Sequence, residues 1–168
     1  MILDTKRLYL RKFKLTDAPF IFELVNSPDW LTYIGNKNVK NLKDAEQYIQ
    51  EKMLDHYKKH GFGFYLVITK DENIPIGITG FINRESMTDV EVGYGFLPIG
   101  TGKGYALEAT QAIMEYGETK LNLDNIVAIT HPDNTSSQKL LEKLGLTSNG
   151  MILLPGFEGP CALFTQTA

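Results

Sequence analysis

Three glycines at alternate positions separate an apolar, strand-like run from the pattern of a long helix. Residues 89–97 are predicted to form the strand, Gly100, Gly102 and Gly104 the turn, and residues 105–121 the helix. Glycine permits tight turns and lets a ligand approach the main-chain amides. The first turn of a helix also leaves its N–H groups free at the positive end of the dipole. The junction is therefore predicted to bind an anion, such as a phosphate or pyrophosphate.

Two common phosphate-binding loops do not match this junction. A Walker A loop has glycine where this chain has Leu97, and Ser or Thr where it has Gly104. The dinucleotide fingerprint needs glycine at position 105, which is tyrosine. Both interpretations are disfavoured, and a flexible loop without a ligand is the plainest alternative.

The rest of the chain is predicted to form one α/β domain over residues 1–168, with the order β-α-α-β-β-β-α-β-α-β-β. The first helix is expected to end near residues 26–28, and a polar, irregular stretch that contains Trp30, Tyr33 and Gly35 follows it. No linker interrupts the pattern. The predicted strands are residues 8–13, 63–70, 76–84, 89–97, 126–130, 146–153 and 160–165, and the predicted helices start at Thr16 or cover residues 42–59, 105–121 and 134–144.

The charge balance disfavours nucleic acid as the main partner. The net charge is −3, and binding a polyanion depends on an excess of Lys and Arg. Residues 61–168 carry 6 basic and 12 acidic side chains, which indicates either a lopsided surface or an acidic rim that attracts a cationic amine. Cys161 is the one cysteine, so no intrachain disulfide forms. The longest apolar run is too short to span a membrane, and we expect a cytoplasmic protein with no membrane partner.

Six segments, in order along nearly the whole chain, resemble the GNAT superfamily of acyl-CoA-dependent N-acetyltransferases, and within it the RimJ/RimL type that acetylates ribosomal proteins. The matching segments are residues 5–11, 15–18, 76–82, 91–94, 102–109 and 134–145. The resemblance implies an α/β fold (α+β in some schemes): a single mixed, mostly antiparallel sheet of about seven strands with four helices. It also implies transfer of an acetyl group from acetyl-CoA to a primary amine, directly, in a ternary complex.

The resemblance assigns the glycine loop to the coenzyme A pyrophosphate. The family pattern (Gln/Arg)-x-x-Gly-x-(Gly/Ala) is met by Gly102 and Gly104, whereas Ile99 replaces the Gln/Arg. Lys103 either adds charge to the site or is a solvated lysine. The coenzyme-binding residues implied in this stretch are Phe96, Leu97, Ile99, Gly100, Thr101, Gly102, Lys103, Gly104 and Tyr105.

Two residues of the next helix complete the implied coenzyme site. Asn134 matches the family's asparagine that contacts the pantetheine arm, and asparagine is also among the best helix N-caps. Ser137 follows on the same side and lies near the expected position of the thioester sulfur, although it also fits an ordinary helix-surface serine. Many members carry a tyrosine at position 141 as the acid for the thiolate; this chain has Leu141, and Ser137 is the nearest substitute.

Glu91 is the predicted catalytic base, because it lies in the strand before the loop and acetyl transfer needs a deprotonated amine. The alternative is a strand-surface glutamate paired with Lys or Arg. Backbone amides around residues 93–96 are predicted to bind the oxyanion. Trp30 and Tyr33, together with residues 154–160, are predicted to face the acceptor or to pack their loops.

Some properties stay open at this level. The acceptor is a protein N-terminal α-amine, a polyamine or a small amino compound. No spacing of His, Cys and Asp matches a metal site, so no metal is expected. The resemblance is also compatible with a homodimer. The alternative function is a non-catalytic module that binds acyl-CoA without turnover.

Overall fold

One mixed sheet forms the centre of the protein. The computed structural model describes residues 1–166. It contains eight strands in the order β1-β2-β3-β4-β5-β6-β8-β7, antiparallel except for β5 and β6. The strands are β1 (Leu3–Asp4), β2 (Leu8–Lys12), β3 (Phe64–Thr69), β4 (Pro75–Ile82), β5 (Glu91–Phe96), β6 (Val127–Thr130), β7 (Leu146–Ile152) and β8 (Cys161–Gln166). The predicted mixed, mostly antiparallel sheet is confirmed, with the two-residue β1 added.

Helices cover both faces of the sheet. They are α1 (Ala18–Val25), α2 (Pro28–Tyr33), α3 (Leu42–Ile49), α4 (Asp55–His60), α5 (Tyr105–Thr119) and α6 (Thr135–Lys143). A π-helical turn, Gln50–Leu54, joins α3 to α4, so these three segments occupy the single predicted helix of residues 42–59. The expectation of an irregular stretch around Trp30 and Tyr33 was wrong in part, because α2 lies there. Six residues are too few to show a helical period, and Pro28 is already set for a first turn.

The two faces of the sheet have separate cores. Apolar side chains of α5 and α6, including Ala109, Ile113 and Leu141, pack against one face. Residues of α1 to α3, such as Ile21 and Ile49, pack against the other. Each helix thus contributes one apolar stripe, as its sequence period requires. No helix in residues 1–166 is long and apolar enough to cross a membrane.

Strands β5 and β6 separate soon after they meet. Their parallel pairing consists of one register position, Glu91 opposite Val127, with a hydrogen bond of 3.0 Å from the Val127 N–H to the Val90 carbonyl. On its other side β5 pairs with β4 over its whole length, from Glu91 to Phe96. A gap therefore opens along β5 toward its carboxyl end, where the glycine turn begins.

Candidate active site

The glycine loop leaves consecutive amides without a protein partner. After the 3₁₀ turn Pro98–Gly100, the Thr101 N–H still bonds to the Pro98 carbonyl at 3.1 Å. Gly102 and Gly104 then take φ values of +74° and +79°, and Gly104 is the N-cap of α5. In the described part of the chain no carbonyl accepts a hydrogen bond from the N–H groups of residues 102–104. Such left-handed turns point neighbouring amides into one concavity, which suits a phosphate.

The side chains of the loop contribute little to this concavity. Leu97 is buried in the core, whereas Ile99 and Lys103 are exposed. The Thr101 hydroxyl donates to the Pro98 carbonyl at 2.8 Å and so stabilises the turn. Gly100 is buried, and a Cβ there would lie 3.0 Å from the Cβ of Ile76, so its glycine permits close packing. The anion-binding character thus comes from the backbone, and Ile99 does not weaken it.

A cleft lined mainly by charged side chains lies beside the start of α5. The Arg7 guanidinium covers the ring of Tyr105, 4.4 Å from the ring centroid, and Arg7 Nε bonds to Glu108 at 2.7 Å. A cleft of about 310 Å³ next to this pair is lined by Lys6, Arg7, Lys70, Asp71 and Tyr105. Glu108 pairs with Arg7 and Asp4 pairs with Lys70, so most of the positive charge of this cleft is already neutralised and the backbone amides remain the main attraction for an anion.

The N-terminus of α6 faces the gap between β5 and β6. The Asn134 Oδ1 accepts a hydrogen bond from the Ser137 N–H at 3.2 Å, so the predicted N-cap role is confirmed. The Asn134 Nδ2 has no partner among residues 1–166. The cap therefore leaves an amide donor available at the helix start.

Tyr94 is the functional candidate that sequence reasoning missed. Its hydroxyl lies 2.7 Å from Ser137 Oγ and donates to the Ser137 carbonyl oxygen at 3.0 Å. Burial raises the pKa of Tyr94 to about 12, and the hydrogen bond with Ser137 opposes this shift. The alternation of side chains along a strand could have identified Tyr94, because alternation places it on the face of β5 that is covered by α6. The two hydroxyls bridge the gap beside the α6 N-terminus.

Glu91 lies on the opposite face of β5 and forms a buried ion pair. Its side chain is 5% exposed, and its Oε1 accepts a hydrogen bond from Arg84 Nε at 2.5 Å. Burial raises the pKa of Glu91, and the guanidinium of Arg84 opposes this rise. The alternative of a glutamate paired with Arg is thus correct as to the partner, whereas the surface position is wrong. A carboxyl whose pKa is raised by burial is better matched to accepting a proton near neutral pH.

Aromatic rings cover the same face of β5. A Cβ on Gly95 would lie 2.8 Å from the Trp30 ring, and one on Gly93 would lie 3.1 Å from the Phe64 ring. The two glycines therefore let these rings lie directly on the strand. Tyr33 contacts His131 at the end of β6, with ring centroids 5.6 Å apart.

The indole nitrogen of the buried Trp30 has no hydrogen-bond partner within residues 1–166. The structure thus brings Trp30 and Tyr33 to the Glu91 face. Cys161 is buried at the start of β8, and burial raises the pKa of its thiol, with the charge of Glu91 adding to the rise. Its thiolate is accordingly disfavoured as a nucleophile. Over the described residues, no group of three or more His, Cys, Asp or Glu side chains is placed to hold a metal ion.

The chain is similar to known acetyltransferases in sequence and in fold. The acetyltransferase (GNAT) domain model matches residues 7–147. The uncharacterized N-acetyltransferase YnaD of Bacillus subtilis strain 168 is 33% identical over 150 residues, which cover 89% of this chain and 85% of YnaD. The crystal structure of a GNAT-family acetyltransferase from Bacillus anthracis superposes with a TM-score of 0.79 at 27% identity, covering 96% of this chain and 95% of that one.

The fold is also that of RimL, a ribosomal-protein alpha-N acetyltransferase solved in complex with coenzyme A. That structure has a TM-score of 0.78 at 20% identity and covers 98% of this chain and 96% of its own. The family model and YnaD each extend over most of the chain, including the glycine loop and both faces of β5. This chain therefore belongs to the GNAT family of acetyltransferases.

Proposed function

We propose that this protein transfers the acetyl group of acetyl-CoA to a primary amine, either a protein N-terminal α-amine or a small amine, by direct attack in a ternary complex. The observation that carries the proposal is the gap between β5 and β6, which begins at the Glu91–Val127 pair and ends at the free amides of residues 102–104. Acetyl-CoA would supply the thioester that the amine attacks. The polar groups along the gap form three sets: a coenzyme end that binds acetyl-CoA, an amine side that removes the proton of the amine, and a thiolate side that protonates the leaving sulfur.

The coenzyme end fits a pyrophosphate. The N–H groups of residues 102–104 and the first turn of α5 donate to phosphate oxygens, and the helix dipole adds to the attraction. Lys103 is exposed beside them and contributes charge without a fixed contact. The free Nδ2 of Asn134 is available to a carbonyl of the pantetheine arm. The other implied loop residues act through their backbone.

The amine side is served by Glu91. An α-amine has a pKa of about 8, so roughly a tenth of it is neutral at pH 7 and a base has to take the remaining proton. The raised pKa of Glu91 makes its carboxylate a better acceptor for that proton, directly or through a water molecule. Trp30 and Tyr33 lie on this face and are proposed to border the acceptor.

The thiolate side is served by Tyr94 and Ser137. The one proton of the Tyr94 hydroxyl goes either to the Ser137 carbonyl oxygen or to Ser137 Oγ. In the second arrangement the serine proton is free for the sulfur as the carbon–sulfur bond breaks. Backbone N–H groups on the open edge of β5, beyond Glu91, have no strand partner in the described chain, which supports their role with the developing oxyanion. The two proton-handling centres lie on opposite faces of one strand. In direct transfer the amine nitrogen attacks the carbonyl carbon and loses its proton, and the sulfur then leaves the tetrahedral intermediate and gains one, so the two proton transfers take place at different positions.

Variants at the two centres test the proposal by their effect on thiol release. Glu91→Gln is expected to lower kcat with acetyl-CoA binding nearly unchanged, and Glu115→Gln, on the exposed side of α5, is the matched control. Tyr94→Phe and Ser137→Ala are each expected to slow turnover roughly 10²-fold or more, as loss of a general acid does. The double variant is expected to be no slower than the worse single variant. Unchanged turnover in Glu91→Gln, or additive losses at Tyr94 and Ser137, would contradict these roles.

A further inference from the structure

Arg84 lies where the acceptor-side segments converge. It follows β4, its Nε bonds to Glu91 on β5, and its guanidinium lies 5.5 Å from the ring centroid of Phe157 in the loop between β7 and β8. Its charge also lowers the pKa of Tyr48 on α3, against the larger effect of burial. Arg84, just after the end of β4, thus lies near three other segments on the face that carries Trp30 and Tyr33. Its side chain is 29% exposed, so this position is open to a ligand.

The guanidinium of Arg84 is only partly paired within the described residues. Within residues 1–166, Glu91 is the one carboxylate within 4 Å of Arg84, and it bonds to Nε alone. The two terminal guanidinium nitrogens have no protein acceptor in the same part of the chain. Burial lowers the pKa of Lys37, and repulsion from Arg84 and Lys52 lowers it further. Among the described residues Arg84 thus has one carboxylate partner and two nitrogens left over, and Lys37 is close enough for its charge and that of Arg84 to repel each other.

We propose that the acceptor carries, besides its reacting amine, a carboxylate that the terminal nitrogens of Arg84 bind. A guanidinium fork matches the two oxygens of a carboxylate, and its contact with the Phe157 ring restrains the plane of the fork. Glu91 occupies Nε and fixes the orientation of the fork from the other side. This inference rests on the proposed function and adds the class of acceptor. It differs from the acidic rim, which was one of the two interpretations of the sequence charge distribution.

A carboxylate of this kind has two chemical sources. It is the α-carboxylate of a free amino acid or the side chain of an acidic residue near the N-terminus of a peptide. The two terminal nitrogens of Arg84 fit both, because in both a carboxylate lies a few bonds from a primary amine. A polyamine, in contrast, has no carboxylate and would be repelled by the guanidinium of Arg84.

Matched acceptor pairs test the inference. One arm compares α-amino acids with their α-amides, and the other compares dipeptide amides whose second residue is Asp or Asn. Within each arm the ratio of kcat/KM is measured for the wild type and for Arg84→Gln, so differences in amine pKa cancel between the two proteins. A charge-assisted hydrogen bond of ordinary strength predicts a wild-type preference for the carboxylate of roughly 10- to 100-fold in one arm, expressed in KM. Arg84→Gln is expected to abolish the preference and Arg84→Lys to retain part of it.

Arg84→Gln leaves the buried carboxylate of Glu91 unpaired, which lowers stability. Variants that do not touch Glu91 are therefore needed as well. Lys37→Gln does not touch Glu91, and it is expected to lower the carboxylate preference roughly two- to five-fold, as for a partly screened charge. Lys59→Gln is the matched control, since Lys59 forms an exposed pair with Glu85 at 3.9 Å next to Arg84 in sequence. It is expected to keep the preference.

The outcomes separate this inference from the proposed function. Equal rates for carboxylates and amides in the wild type, or a preference that survives in both Arg84→Gln and Lys37→Gln, overturns the inference while acetyl transfer stands. Absence of thiol release with every amine overturns both. Fast turnover of polyamines alone also overturns the inference.

Discussion

Replacement of Gly102 by alanine probes the glycine loop most sharply. Gly102 has a φ of +74°, and a Cβ built on it would meet no other protein atom within 4 Å. The substitution therefore adds left-handed backbone strain of about 1–2 kcal/mol with no steric clash inside the protein. For a chain of this size that strain lowers Tm by roughly 2–8 °C. Gly150→Ala is the matched control, because Gly150 has a φ of +83°, an equally open Cβ position and a place on β7.

The two variants are expected to differ in their response to coenzyme A. At about 100 times its Kd, a ligand stabilises the wild type by about 2.7 kcal/mol. The added methyl group of Gly102→Ala is expected to keep a phosphate oxygen from reaching one of the free amides, and loss of one such charge-assisted hydrogen bond removes about 1.5–3 kcal/mol of binding, a roughly 10- to 150-fold rise in Kd. At the same coenzyme concentration the stabilisation then falls to about 1.4 kcal/mol or less. Gly150→Ala keeps the full value.

Thermal unfolding with and without coenzyme A measures both effects at once. Gly102→Asn separates backbone strain from obstruction, because asparagine adopts positive φ more readily than alanine but still adds a side chain. It is expected to recover stability and not coenzyme binding. If Gly102→Ala and Gly150→Ala respond equally to coenzyme A, the free amides of residues 102–104 are not the phosphate site.

Two further predictions concern stability. His56 accepts a hydrogen bond from the Asn83 N–H at 3.1 Å, and burial lowers its pKa. Its contribution to stability is therefore complete above its unfolded pKa of about 6.5 and decreases as the pH is lowered, until the pH is below its folded pKa. A series of Tm values from about pH 8 to 5 is expected to show this decrease for the wild type but not for His56→Gln. A Cβ on Gly117 would lie 2.4 Å from Cζ of Phe81, so Gly117→Ala is expected to lose about 1–3 kcal/mol in urea unfolding. Gly159→Ala, with an open Cβ position, is expected to be neutral, and equal stabilities would refute the packing argument.

Local patterns predicted the parts of the fold that local physics determines. The glycine loop, the N-cap at Asn134 and the period of α5 all depend on neighbours in sequence, and each is found in the structure. The helix α2 was missed because six residues show no period, and β1 because two residues show no alternation.

The contacts that define the candidate site are long-range. Tyr94 and Ser137 are 43 residues apart, and their hydrogen bond depends on how α6 docks beside the open edge of β5. The partner of Glu91 lies only seven residues away, but the burial of that pair depends on the loop between β7 and β8, which supplies Phe157. Sequence patterns indicated which residue types carry the chemistry, whereas tertiary packing decides which of them meet.

The central claim is acetyl transfer in a ternary complex, and one kinetic measurement tests it most directly. Free thiol is recorded as acetyl-CoA and a carboxylate-bearing primary amine are both varied, and mass spectrometry records the acetylated amine. The account predicts one thiol released for each acetyl group transferred, with double-reciprocal lines that intersect. Parallel lines would indicate a covalent acetyl-enzyme instead of direct attack. Coenzyme binding with thiol release no faster than in the absence of amine would contradict the account and identify a binding module.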